Sequence, residues 1–316
     1  MNASGRGRHV ALASVLAFAF VLAARSDVLV AAWHELVGLI TLEGQPVSAS
    51  PAVISGHEVQ EIETLPPQAQ AERLLGRAIN HYDGAAGLIA SSVDAWRGKI
   101  AMEGRLNELF MTALNANDLR VRAAALELYL AAFGIAKTPE DLDKIMARCD
   151  VQVDGRPHAL FVVGLLGNRG VDPRRALDYL LRFSSDPDVE TRKWAVEGIA
   201  MLGTDDAIGP LLRVFHEDPE ASVRERGGCG LAQSGMLAGS QRLTAIPELL
   251  RFADEPELDD TTRRWVFQAL QDISGRQFGY NLREWRAWWA EKPQRSAREA
   301  TKFDGAFSVV GLENRR

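Results

Sequence analysis

The stretch that decides the fold is DPDVETRKWAVEGIAMLG, residues 186–203. It opens on an acidic turn, sets Arg192 six residues after Asp186, runs through an apolar phrase and stops at Gly203. Working outward, the phrase returns around Arg122, Arg156, Arg192, Arg224 and Arg263, at steps of 34, 36, 32 and 39 residues. Periods of this size signal stacked supersecondary units rather than one closed core.

The register holds position by position. Three residues after each arginine stand Ala125, Ala159, Ala195, Gly227 and Val266; seven after stand Tyr129, Val163, Ile199, Leu231 and Leu270. Offsets of 3, 4, 7 and 11 form one face of an α-helix. A glycine then closes each copy (Gly134, Gly167, Gly203, Gly235, Gly275), where a left-handed residue stops a helix without a steric clash. A second helix follows, as in AIGPLLRVF (207–215), AIPELLRF (245–252) and RALDYLLRF (175–183). Thr138-Pro139-Glu140-Asp141 is a helix start: a cap, a proline at the first helical position and acids in the first turn.

With five copies in register over roughly residues 115–293, the chain resembles the HEAT-repeat family, in particular its short bacterial variety with a "DPxVRxxAxxxLG" phrase. The resemblance implies an all-α solenoid of about five helix pairs. It also implies an acid–arginine staple within each unit: Asp150 with Arg156, Asp186 with Arg192, Asp218 with Arg224, and Glu257 with Arg263. The first copy departs, with Ala116 where the acid should stand. A cation on the apolar side of a helix needs such a partner to offset its desolvation. The fourth copy is glycine-rich (Arg226-Gly227-Gly228-Cys229-Gly230) and is expected to be the weakest helix, at about 1 kcal/mol per interior glycine.

The ends differ from the repeats. Arg6, Arg8 and His9 precede a fifteen-residue run (10–24) that is apolar but for Ser14, which reads as a secretory signal or an uncleaved membrane anchor within 1–24. Residues 25–68 read as an apolar stretch and a flexible linker. Residues 69–114 regain a helical period and are expected to cap the open end of the stack. At the other end Asn281 starts a helix whose Trp285, Trp288 and Trp289 share one face and seal the last repeat. Residues 294–316 are polar and aperiodic and read as a disordered tail.

Composition narrows the function. The net charge is −6, from 36 basic and 42 acidic residues, without the basic stripe of a nucleic-acid binder. Cys149 and Cys229 sit in non-adjacent units and make no disulfide framework. HExxH, nucleophile-elbow, Walker and CxxC motifs are absent. Some HEAT-repeat hydroxylases hold di-iron with His-Glu pairs in symmetric repeats. Here only His216-Glu217 lies in a repeat, and His216 is read instead as meeting the negative end of its helix dipole. No cofactor, metal or catalytic residue is expected.

What remains is a surface. Offsets 2 and 5 from the arginines point away from the apolar face and place His158, Trp194, Glu197, Arg226, Trp265 and Gln268 on one track. Such residue types dominate binding hot spots. The sequence therefore predicts a non-enzymatic scaffold in the bacterial cell envelope, exported, binding a protein or extended peptide and no nucleic acid. Membrane attachment through the N-terminus is the anchor variant. The alternative is an enzyme or lyase accessory that cradles a small molecule or chromophore, as the family's bilin lyases do.

Overall fold

A computed structural model describes residues 52–291, and the described helices all lie in the unit that begins at Val53. The signal or anchor (1–24), the first part of the linker and the tail fall outside the described residues. Five helices come first: α1 (Gly56–Glu63), α2 (Pro67–Ile79), α3 (Ala85–Trp96), α4 (Gly104–Leu114) and α5 (Leu119–Ala132). The repeats follow as α6 (Pro139–Val151), α7 (Arg156–Asn168), α8 (Pro173–Phe183), α9 (Val189–Leu202), α10 (Ile208–Glu217), α11 (Ala221–Cys229), α12 (Gly239–Leu243), α13 (Ile246–Asp254), α14 (Asp260–Ser274) and α15 (Leu282–Glu291). Among the described residues the only extended pairing is a lone bridge between Val53 and Asp83. The molecule is an α-solenoid in which the arginine-bearing helices α7, α9, α11 and α14 stack in sequence, with α8, α10 and α13 behind them.

The linker expected through residue 68 ends earlier. Ser55 Oγ accepts the Glu58 amide at 3.1 Å and starts α1, whose Ile62 is buried. One buried isoleucine in eight residues leaves no period to read in the sequence.

The first copy also plays a different part. α5 is buried nearly all round, the pattern of a helix between two cores. Val121, Ala125 and Leu128 join the core of α1–α4, whereas Leu126 and Leu130 join that of the repeats. Rather than stacking squarely on α7, α5 crosses the row of arginine helices. Its Tyr129 meets His158 at the start of α7, and its Arg122 donates to the Gly235 carbonyl, beyond α11, at 2.8 Å. That bond spans 113 residues of chain.

The staples are real but connect differently from the expectation. Arg192 Nη1 donates to the backbone carbonyl of Asp186 at 2.9 Å, and Arg224 Nη1 to that of Asp218 at 2.8 Å. Arg122 Nε takes the Ala116 carbonyl in the same way, so the first copy needs no acid there. The carboxylates serve the preceding unit instead. Asp218 receives Arg192 as a fork, at 2.9 and 3.1 Å, and this bond raises the Arg192 pKa. Arg156 Nη1 lies 3.8 Å from Asp186, and Arg224 Nη2 donates to Asp259 at 3.2 Å. Arg263 turns to the carbonyls of Ala253, Glu255 and Leu258, not to Glu257. Asp150 accepts Tyr179 Oη at 2.9 Å and pairs with Arg182, not Arg156. The turn backbone thus binds its own arginine, while the side chains of Asp186, Asp218 and Asp259 reach back to the unit before.

Close approach explains the glycines of the fourth copy. A Cβ on Gly228 would stand 2.8 Å from the ring of Phe215, which is fully buried, and one on Gly230 would stand 2.6 Å from Ala200 Cβ. α11 is accordingly short, ending at Cys229 and widening into a π turn over Gly230–Ser234. Gly203 closes α9 as expected, at φ +66°, with Met236 too near to admit a side chain. Gly167 and Gly235 are not left-handed stops: α7 runs on to Asn168 and turns at Gly170, and Gly235 (φ −72°) follows the π turn.

The tryptophan helix closes the far end. Trp285 is fully buried, donates Nε1 to the Gly279 carbonyl at 2.9 Å and meets Phe278 and Trp288 edge-on. Asn281 Oδ1 accepts the Glu284 amide at 3.3 Å, the cap read from the sequence.

Candidate protein-binding groove

The predicted track lies on α7, α9, α11 and α14, and the structure divides it into three environments. His158, on α7, is covered: its Nδ1 lies 3.0 Å from Tyr129 Oη, and Phe133 packs on its ring with centroids 4.6 Å apart. Burial, aided by the positive charge of Arg148, holds its pKa below the ordinary histidine value. His158 is thus a contact for α5 and not a free binding residue, because α5 crosses the stack there.

Trp194, Glu197 and Arg226 open into a cleft of about 310 Å³. Its floor is Phe161, Trp194 and Tyr129, and its far wall is Phe110, Met111 and Leu114 of α4. Trp194 meets the Phe161 ring edge-on and remains 36% exposed. Glu197 and Arg226, offsets 5 and 2 on adjacent helices, form an ion pair at 3.2 Å. Glu197 is sunk in the groove, and burial raises its pKa against the opposing pull of Arg226. Met111 (52% exposed), Phe133 (49%) and Trp194 stand at or beside this cleft, three of the large hydrophobics that the described surface leaves open. No repeat offset points to the α4 wall, because it comes from outside the repeats.

Trp265 and Gln268, on α14, line a separate hollow of about 210 Å³ against α11, together with Glu225, Cys229, Gln233 and Asp272. Cys149 and Cys229 are both free. His216 does not merely face a helix end. Its Nε2 hydrogen-bonds Glu255 of the next unit, and its ring stacks on Phe252. Among the described residues no group of three histidine, cysteine or acidic side chains could hold a metal, and no helix is long and apolar enough to cross a membrane.

A stack of arginine-stapled helix pairs with a side-chain groove along one helix row defines the class. Residues 154–228, from α7 to α11, match the family model of HEAT repeats, and that stretch supports a place for the chain among HEAT-repeat proteins. No curated protein matches it.

Proposed function

We propose that the chain is a non-enzymatic scaffold that holds an extended segment of a partner protein in the groove beside Trp194. HEAT repeats generally mediate protein–protein interaction. The observation that carries the reading here is the exposure of Met111 and Trp194 at a cleft whose charged groups already pair with each other, Glu197 with Arg226 and Glu190 with Lys193. Such a surface offers apolar contact and shape to a peptide. The basic start and the apolar run of residues 10–24 support a site of action in the cell envelope.

Retention of a cross-linked envelope partner tests the groove. Trp194→Ala should weaken a captured partner by about 2 kcal/mol, while the helical circular dichroism stays native. Loss of the helical signal would show Trp194 to be core, and unchanged retention would remove the groove from the interface. A chromophore or small molecule co-purifying with the protein would favour the cradle reading. Fractionation with N-terminal sequencing tests the location: an intact chain in the cytosol would overturn it, and one in the membrane pellet would select the anchor.

A further inference from the structure

Two arginines from distant stretches converge on one carbonyl. Arg122 lies in the first turn of α5 and Arg242 in α12. Arg122 Nη1 donates to the Gly235 carbonyl at 2.8 Å, and Arg242 Nη2 donates to the same oxygen at 2.9 Å. A shared acceptor holds the two nitrogens within about twice a hydrogen-bond length of each other, about 6 Å. The other bonds of the pair also go to backbone carbonyls, Arg122 to Ala116 and Arg242 to Leu237, Ala232 and Gln233. Among the described residues no carboxylate lies within ion-pair distance of either guanidinium, and Asp272 acts on Arg242 only from further away.

This junction is short of negative charge. Arg122 is only 4% exposed and Arg242 is half-buried. Burial pushes the Arg122 pKa down, and burial together with the Arg122 charge brings that of Arg242 down to about 10. Neutral carbonyls satisfy donors but leave two neighbouring cations uncompensated. Donors are left over as well. A guanidinium carries five N–H groups. Among the described residues Arg122 uses Nε and Nη1, and its Nη2 donates to none. Ser234, next to Gly235 in the chain, holds a buried Oγ that has no partner either.

A compact oxyanion answers both needs. It supplies the missing charge, and its oxygens accept from guanidinium forks and from a hydroxyl. The approach limits its size. Arg122 is covered, so the way in passes Arg242, whose bond to the Gln233 carbonyl is exposed. A phosphate carried on a protein side chain or a lipid would have to bring its carrier along that path.

We infer that Arg122, Arg242 and Ser234 form a binding site for a free tetrahedral oxyanion, phosphate or sulfate, where α5 meets the π turn. The ion fastens the start of α5 to the repeats, two helical turns before Tyr129 in the floor of the groove. The site stands whether or not the groove holds a peptide.

The test uses the full chain and inorganic phosphate, titrated against chloride at constant ionic strength and read by isothermal calorimetry. One saturable ion per chain is expected, displaced by sulfate and at least tenfold tighter than chloride. The melting temperature should rise with its occupancy, because the ion binds the folded chain alone. Ser234→Ala removes only a hydroxyl and should weaken phosphate at least threefold with the circular dichroism unchanged. Arg242→Gln should abolish binding, whereas Arg213→Ala, on the surface of α10, should leave it intact. Should Arg242→Gln lose its helical signal, the other two variants decide. No saturable heat, equal affinity for chloride, full binding in Ser234→Ala or in folded Arg242→Gln, or loss of binding in Arg213→Ala would each overturn the site.

Discussion

At the residue scale the repeated arginine is the most informative group, and its partners set its worth. Arg192 and Asp218 are both nearly buried, so removing the cation strands a carboxylate between units. Arg192→Ala should therefore cost about 3 kcal/mol in urea unfolding, against a negligible change for Arg213→Ala on the surface of α10. Asp186→Asn should cost far less than Asp218→Asn, because Arg192 uses the Asp186 carbonyl, which the substitution keeps. Equal losses for the two aspartates would contradict the inter-unit staple. Gly228→Ala is a second test. Helix propensity alone predicts a gain of about 1 kcal/mol. The Phe215 ring, 2.8 Å from the added Cβ, predicts a net loss of about 1–3 kcal/mol, measurable by the same unfolding experiment.

At the element scale, α5 and α15 are the parts whose sequences fit the repeat least and whose positions matter most. α5 is fastened over α7 through Tyr129 and His158. A half-buried histidine whose folded pKa lies below its ordinary value of 6.5 binds fewer protons folded than unfolded. Its contribution is full above about pH 6.5 and is lost as the pH falls through the folded value. The melting temperature should therefore drop between pH 7 and pH 5, and His158→Gln should flatten that part of the dependence; an unchanged slope would show that His158 is not the group responsible. α15 packs on α13, and its buried Trp285 joins the core of the repeats. Truncation before Asn281 should expose that apolar end and give an aggregating or partly melted protein in a thermal scan. An unaltered melting curve would show that the last repeat closes without it.

At the scale of the whole molecule, the solenoid was legible because its cause is local and repeated. An apolar face at offsets 3, 4 and 7, with a turn beyond it, recurs too often to be read otherwise. The same repetition showed which helix face looks outward, so Trp194, Glu197 and Arg226 were placed together by spacing alone, and the structure joins two of them as an ion pair. The rest depended on contacts between distant stretches. Nothing in the phrase around Arg122 says that its helix crosses the stack to reach Gly235, covering His158 on the way. Nor does any local pattern tell whether an arginine takes the carboxylate or the carbonyl of its turn, since both lie six residues back. The repeat helices from α6 onward, their pairing and their outward face follow from the sequence alone, because periodicity and turn chemistry act within one unit. Only the tertiary structure decided which carboxylate meets which arginine, which outward residues stay open, and that α4 of the N-terminal helices walls the groove, because these depend on which unit lies against which.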